Sequence, residues 1–169
     1  YAASKKSNEL IANAYSHLYG LHTTGLRYFT VYGPWGRPDM SMFIFAKKIL
    51  ANDPIPVFNN GNMKRDFTYI DDIISGTRSA IDKNYQCEVF NLGNNRSEKL
   101  MYLVSLLEKN IGKKAKIDFQ PMQPGDVKES CADIKKSIEM LEYQPFTNLD
   151  AGVKKLINWY LQYFENKIK

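Results

Sequence analysis

The sequence has 169 residues, of which 44% are hydrophobic and 13% aromatic, and its formal net charge is +5. This composition is typical of a folded domain and excludes a disordered chain, and no apolar run is long enough to cross a membrane. The positive charge suits a diphosphate ligand, and because zinc-finger spacing and aromatic RNA-binding signatures are missing, nucleic acid is not the expected partner. Cys87 and Cys131 lie far apart, outside any metal-like spacing, which favours reduced thiols in the cytoplasm.

The predicted elements alternate between helix and strand along the chain. Helices are predicted from apolar residues at helical spacing, and strands from short apolar runs between turn residues. In chain order the prediction is a helix over 1–19, a strand over 26–32, a helix over 42–50 capped by Ser41, a short strand at 57–58, a strand over 65–70, a helix over 71–82, a strand over 88–92, a helix to residue 110 capped by Ser97, a strand over 115–119, a helix to residue 141 capped by Asp133, and a helix over 150–164. This alternation indicates α/β architecture.

A tyrosine and a lysine in the first helix are candidates for acid–base chemistry. Tyr1 and Lys5 stand at positions i and i+4, so they share one face of the helix. An ammonium beside a phenol favours the phenolate form, which can accept a proton from a substrate hydroxyl. The spacing alone is also found on ordinary helix surfaces, where one aromatic residue and one solvated lysine carry no function.

A segment that follows the first helix favours a catalytic role for Tyr1 and Lys5. Residues 27–40 read RYFTVYGPWGRPDM, and together with Tyr1 and Lys5 they resemble the short-chain dehydrogenase/reductase superfamily, in the extended branch that acts on nucleotide sugars. The ending GRPDM is most similar to the UDP-glucuronate 4-epimerase subgroup. The resemblance implies NAD as cofactor, a UDP-sugar as substrate, and a homodimer formed through the helix of the catalytic tyrosine.

In this family the tyrosine takes a proton from the sugar hydroxyl while a hydride moves to the nicotinamide, and the lysine bonds the nicotinamide ribose. These catalytic and cofactor-binding roles fall to Tyr1 and Lys5. Phe29, near the end of the strand beside the cofactor, is either a nicotinamide contact or a core residue. Thr30 can hydrogen-bond the sugar. Arg37 can take a carboxylate in a two-pronged bond, which fits a uronic acid, although a loop arginine is often simply exposed.

Two further segments imply contacts with the nucleotide. Residues 59–70 resemble a family segment in which Arg65 faces a diphosphate oxygen, while Val57 and Phe58 lie against the uracil ring. In the loop over residues 121–127, Asp126 accepts a bond from a ribose hydroxyl. Gln123 stands where several relatives carry arginine, so only a neutral bond is open to it.

Three carboxylates near the second of these segments could be mistaken for a metal site. Asp66, Asp71 and Asp72 are close together in the sequence, but a helix is predicted to start directly after Ile70. Capping of this helix therefore explains them better than a bound metal.

The resemblance places residues 1–169 in the C-terminal part of the family's chain, which carries the catalytic helix, the last Rossmann elements and the smaller substrate-binding lobe. The sequence contains no glycine-rich turn that would let backbone amides approach a pyrophosphate. The serine or threonine that precedes the tyrosine in the family is also absent. We therefore expect the N-terminal dinucleotide-binding part to be missing and the chain alone to be inactive.

The function that these residues predict is epimerisation of UDP-glucuronate through transient NAD-dependent oxidation at C4, in the synthesis of polysaccharide precursors. Another NAD-dependent nucleotide-sugar enzyme, such as a decarboxylase or a 4,6-dehydratase, is the nearest alternative. A non-catalytic module that binds a nucleotide sugar, or serves only in association, is the alternative from a different class. Such a module leaves the presence of Tyr1, Lys5, Arg37 and Arg65 unexplained.

Overall fold

Helices and strands alternate in the structure, a computed structural model that describes residues 1–168, with side chains through residue 164. The predicted α/β class is therefore confirmed. The elements are α1 (Ala2–Tyr19), β1 (Thr23–Tyr28), β2 (Thr30–Tyr32), α2 (Ser41–Ala51), β3 (Pro54–Phe58), a 3₁₀ turn (Asn59–Gly61), β4 (Lys64–Tyr69), α3 (Ile70–Lys83), β5 (Cys87–Leu92), β6 (Ser97–Lys99), α4 (Leu100–Ile111), β7 (Lys116–Gln120), α5 (Lys135–Leu141) and α6 (Leu149–Ile168).

The described strands form three small sheets, and the chain crosses from one sheet to another at Phe29. β1 pairs in parallel with β5, β3 pairs in parallel with β7, and β4 lies between parallel β2 and antiparallel β6. The single strand predicted over 26–32 is thus two strands, because the backbone changes partner from β5 to β4. The Phe29 amide still donates to the Leu92 carbonyl at 3.1 Å. Thr30 is therefore the first residue beyond the junction.

Two of the predicted helix caps are wrong. Ser97 begins strand β6 and pairs with Asp66 of β4, because the open edge of β4 offers these residues a ladder that no local signal announces. α4 follows at Leu100 without a side-chain cap. Ser41 is the first residue of α2 rather than its cap, and the preceding Met40 makes no capping bond.

The buried carboxylates of this region act as structural anchors and do not cap α3, which begins without a side-chain cap. Asp66 is completely buried, and its oxygens accept from the amides of Asn94 at 2.7 Å and Ala132 at 2.9 Å. Asp72 is 1% exposed and accepts from the Thr147 amide at 3.1 Å. Each carboxylate thus ties its own strand or helix to a distant loop.

Two hydrophobic cores hold the layers together. The first packs α2, α4 and α6 against β2, β3 and β4, and the second packs α3 and α5 against β5. α6 crosses β2 very closely at Gly152, where a Cβ would lie 2.0 Å from the Tyr32 hydroxyl. Only glycine fits this crossing, which fixes the C-terminal helix against the strand that leads into the loop carrying Arg37.

The outer face of α1 is apolar and exposed. Only Ser16 of this helix is buried, and its hydroxyl donates to the Gln86 carbonyl at 3.0 Å. The exposed apolar side chains on α1 are Leu10, Ile11, Tyr15, Leu18 and Tyr19. The helix therefore presents a broad apolar surface that nothing in the described chain covers.

Candidate active site and nucleotide site

Tyr1 and Lys5 lie together at the start of α1, on the face that the sequence predicted. The Lys5 Nζ is 5.6 Å from the centre of the Tyr1 ring. Tyr1 is 96% exposed, and both residues line an open cleft of about 580 Å³ between α1 and β1. The phenol and the ammonium are therefore accessible to a ligand from the side of β1.

A forked ion pair that the sequence did not predict holds α1 against β1. Arg27 Nε donates to Glu9 Oε1 at 2.6 Å, and its Nη2 donates to Oε2 at 2.7 Å. Hydrogen bonds from Arg27 and Lys6 lower the pKa of Glu9 to about 2. Because Arg27 lies on β1, this pair ties α1 to the strand that directly precedes β2, which begins at Thr30.

Thr30 and Arg37 line the same small cleft, of about 20 Å³. Arg37 is exposed and binds Asp39 in a fork, with Nε donating at 3.0 Å and Nη2 at 2.6 Å. The hydrogen bonds and the charge of Asp39 raise the pKa of the guanidinium. The structure thus brings Arg37 beside Thr30 and pairs it with the carboxylate of Asp39.

The predicted nucleotide contacts lie where β3 and β7 end. These parallel strands end opposite each other, at Phe58 and Gln120, and ligands of α/β proteins commonly bind beyond the carboxyl ends of such strands. Arg65 donates through Nη2 to both oxygens of Asp126 at 2.9 Å, and through Nη1 to the Lys64 carbonyl at 2.8 Å. Phe58 is half-buried. Of the predicted nucleotide contacts, Arg65 and Asp126 therefore bind each other, while Phe58 ends β3.

A tight turn presents Gln123 and Asp126 to solvent. The Asp126 amide donates to the Gln123 carbonyl at 3.2 Å, and Gly125 has a φ of 80°. Proline followed by a glycine of positive φ is the pattern of a type II turn. Both side chains at its ends are exposed, so Gln123 is free to make the neutral bond predicted for it.

The structure places two predicted ligand residues partly or wholly in the core. Val57 is completely buried within the first core, so its side chain reaches no ligand and only its backbone could contact the uracil. Phe29 is half-buried and packs against the second core, in line with the packing alternative. A nicotinamide contact from its exposed part stays a prediction.

The residues present fit one end of a dinucleotide. Lys5 offers ammonium donors for a nicotinamide ribose, next to the Tyr1 hydroxyl in the same cleft. Within residues 1–168, no glycine-rich turn opens a helix.

The part of the chain that the structure describes contains no cluster of metal ligands and no membrane-spanning helix. Both cysteines are free, and no group of three or more His, Cys, Asp or Glu side chains in these residues is arranged around a metal position. None of the described helices combines the length and the apolarity that crossing a membrane requires.

The fold and the Tyr1–Lys5 helix define a Rossmann-type protein of the extended short-chain dehydrogenase/reductase class. The profile of the NAD dependent epimerase/dehydratase family matches residues 1–93. The chain belongs to this family of nucleotide-sugar enzymes, and the predicted cofactor, NAD, is the one on which the family depends.

Similar proteins include characterised epimerases. The chain is 52% identical to an uncharacterized protein of Methanocaldococcus jannaschii, over 96% of this chain and 50% of that protein. It is 45% identical to UDP-glucuronate 4-epimerase 4 of Arabidopsis thaliana, over 100% of this chain and 43% of that protein. The crystal structure of the Bacillus cereus UDP-glucuronic acid 4-epimerase with UDP-glucuronic acid and NAD superposes with a TM-score of 0.90 at 36% identity, over 95% of this chain and 52% of that one. The chain spans about half the length of the curated relatives it matches.

Proposed function

We propose that this chain is the C-terminal part of an NAD-dependent UDP-glucuronate 4-epimerase. The observation that carries the proposal is Arg37, which holds the carboxylate of Asp39 in a two-pronged bond beside Thr30. A neutral hexose offers no group for that fork, whereas a uronic acid does. The similar proteins that act on or bind UDP-glucuronate support the same substrate.

The side chains of the site supply a proton acceptor and its orientation. Bound NAD would accept a hydride from C4 of the sugar and return it to the opposite face. Tyr1 takes the proton from the C4 hydroxyl and gives it back, with Lys5 beside it to favour the phenolate. Thr30 and Arg37 hold the sugar from the side of its hydroxyl and carboxylate, so that the reacting carbon faces Tyr1.

The second group of residues anchors the nucleotide. Arg65 is largely buried at its side chain and already donates to a carboxylate through two bonds, which suits a diphosphate oxygen. Asp126 and Gln123 sit at the ends of one exposed turn and can take ribose hydroxyls and a phosphate oxygen. A firmly held nucleotide keeps the substrate bound while the sugar leaves Thr30 and Arg37 and turns over between the two hydride steps.

The missing pyrophosphate cradle and the open edge of β1 support an additional N-terminal part. β1 pairs only with β5 among the described strands, and small parallel sheets are normally extended and covered on both faces. The open edge borders the cleft that Tyr1 and Lys5 line. We therefore assign the dinucleotide phosphates and the upstream serine or threonine to sequence that precedes Tyr1 in the natural reading frame.

The natural reading frame tests this assignment directly. We expect codons upstream of Tyr1 for a strand followed by a glycine-rich turn, and we expect the encoded protein to interconvert UDP-glucuronate and its C4 epimer with NAD. A 4,6-dehydratase would release a keto sugar and a decarboxylase would release carbon dioxide, so product analysis separates these enzymes. A frame without a glycine-rich turn would favour the non-catalytic module.

The 169-residue chain by itself is expected to show no turnover of UDP-glucuronate when NAD is added. The reason is that the described residues offer no seat for the pyrophosphate, so the nicotinamide is not held against Tyr1. The measurement is product formation by the purified chain, with the longer protein as the positive control. Epimerisation by the chain alone would show that this assignment of the phosphates is mistaken.

The purified chain is also expected to self-associate through the apolar face of α1. Exposed apolar surfaces of this size are usually covered by a partner, and a two-fold contact is the commonest arrangement of identical chains. Light scattering should show a dimer or a larger species, and Leu10→Glu or Leu18→Glu should shift it toward the monomer. Ile74→Glu, which charges an exposed apolar residue of α3, is the matched control. A monomer at high concentration that Leu10→Glu leaves unaffected would contradict this expectation.

A further inference from the structure

The loop between β2 and α2 contains a tryptophan in a conformation that side chains rarely adopt. Trp35 has a φ of 62°, and its side chain is 74% exposed. A left-handed backbone is strained for a bulky residue, whereas glycine would adopt it without strain. Because an exposed ring gains little from burial, hydrophobic packing alone explains this residue poorly.

The Trp35 ring contacts two aromatic side chains near the end of α6. Its centre lies 5.3 Å from that of Trp159 and 5.0 Å from that of Tyr163. The latter two rings stack on each other at 5.1 Å, with 17° between their planes. We call these three residues the aromatic clamp. Edge and face contacts of this kind define an orientation as well as a distance.

The backbone on both sides of Trp35 is pressed against neighbouring elements. A Cβ at Gly33 would lie 2.4 Å from Ile70 of α3, and a Cβ at Gly36 would lie 2.6 Å from the ring of Phe43 in α2. Phe43 in turn packs edge-on against Trp159, with the ring centres 6.1 Å apart. The loop is therefore fixed at three successive points immediately before Arg37.

We propose that the aromatic clamp positions Arg37 for recognition of the substrate's carboxylate, which presupposes the proposed function. The exposed Arg37 side chain has one ion-pair partner among the described residues, Asp39, which belongs to the same loop. The fork is thus oriented from within the loop, and the loop is oriented by Trp159 and Tyr163. Trp159 and Tyr163 belong to α6 and contact the loop through the Trp35 ring. They therefore act on the ligand through Arg37.

The clamp contributes to binding by fixing the direction of the Arg37 guanidinium. A forked bond to a carboxylate needs both N–H groups aligned with both oxygens, and displacements of about 1 Å are enough to weaken such a site. Loss of the clamp leaves the charge of Arg37 in place but frees the loop that aims it. Binding of a uronate should therefore suffer, while binding of the matching neutral sugar should not.

The experiment uses the protein encoded by the natural reading frame and three variants. Trp35→Gly removes the ring and suits the left-handed backbone, and Tyr163→Leu removes a second ring of the clamp from the side of α6. Phe146→Leu is the control, because it removes an exposed aromatic ring of the segment before α6 that does not belong to the clamp. Trp35→Phe tests whether a smaller ring restores the wild-type behaviour.

Two readouts are compared, amide hydrogen exchange over residues 33–40 and the Kd of UDP-glucuronate and UDP-glucose measured by calorimetry. For Trp35→Gly and Tyr163→Leu we expect faster exchange in the loop and a Kd for UDP-glucuronate raised about tenfold, near the low end of the loss for a charge-assisted hydrogen bond. The Kd for UDP-glucose should be unchanged, Phe146→Leu should behave as wild type, and Trp35→Phe should recover most of the preference.

Unchanged hydrogen exchange in both clamp variants would overturn the inference, because the loop would then not depend on the clamp. An equal rise in the Kd of both nucleotide sugars would also overturn it, because the loss of affinity would then be general. Failure of the proposed function looks different. In that case the unaltered protein itself would bind UDP-glucuronate no better than UDP-glucose, before any residue of the clamp is changed.

Discussion

Replacing Tyr1 by phenylalanine is expected to lower the rate of UDP-glucuronate epimerisation by roughly two to four powers of ten, the usual contribution of a general acid–base group. The substitution removes only the hydroxyl that accepts the proton, and the ring can remain over Lys5. The rate should be measured in the longer protein that the natural reading frame encodes. The Kd for UDP should stay close to that of the unaltered protein, because the nucleotide contacts lie at another edge.

Tyr15→Phe provides the matched control for this change. Tyr15 is exposed on the same helix and its ring packs against Tyr19, so the control removes one hydroxyl from α1 without touching the cleft. A Tyr1→Phe protein that turns over at the wild-type rate would remove Tyr1 from the role of proton acceptor. A fall of similar size in Tyr15→Phe would point to damage of the helix instead.

Arg37→Ala is expected to weaken binding of UDP-glucuronate by about 1.5–3 kcal/mol, the value of a hydrogen bond to a charged group, with almost no effect on UDP-glucose. The neutral sugar has no carboxylate for the fork to hold. Calorimetry with both nucleotide sugars measures the difference. Arg37→Lys should recover only part of the preference, since a lysine keeps the charge but not the fork.

Two other arginines serve as controls for this result. Arg65→Ala should weaken both nucleotide sugars alike, because both carry the same diphosphate. Arg78→Ala should change neither, since this exposed residue of α3 pairs with Asp82 on the surface of its own helix. Equal losses for the two sugars in Arg37→Ala would show that Arg37 does not recognise the carboxylate.

The sequence predicted the order and type of most elements because their signals are local. Apolar periodicity and turn residues located the helices and strands with small shifts at the ends. β3 proved longer than the predicted pair of residues and begins at Pro54, which an edge strand tolerates since it needs no donor on its free side. Ser97 is not a helix cap and the strand predicted over 26–32 is two strands, because both depend on which strand of another segment lies beside them.

The candidate site likewise contains residues that local sequence signals identify and contacts that depend on distant segments. Tyr1, Lys5 and Arg37 could be singled out from spacing and from a family motif, and the structure places Tyr1 and Lys5 in one cleft and Arg37 beside Thr30 in another. The partners of the charged groups could not be predicted, because Arg27 meets Glu9 and Arg65 meets Asp126 only after distant segments fold together. Asp39 was within reach of sequence reasoning, since it stands two positions from Arg37, but no helical or strand period links the two.

Under the proposed function, Arg37 and Arg65 bind the ligand, and each is already paired with a carboxylate of its own chain. A ligand therefore binds by exchange, and its affinity measures the difference between two similar ion pairs rather than the full strength of one. Charge pairs are lost as well as made, so added salt should affect binding less than the ligand's charge suggests.

The displacement of Asp39 and the displacement of Asp126 are expected to differ in free-energy cost. The Arg37–Asp39 pair is 73% and 64% exposed at its side chains, whereas Arg65 in its pair with Asp126 is only 17% exposed. An exposed pair is weak and separates easily, while the half-buried one is held by additional bonds to the backbone. Displacing Asp126 from Arg65 is therefore expected to cost more free energy than displacing Asp39 from Arg37.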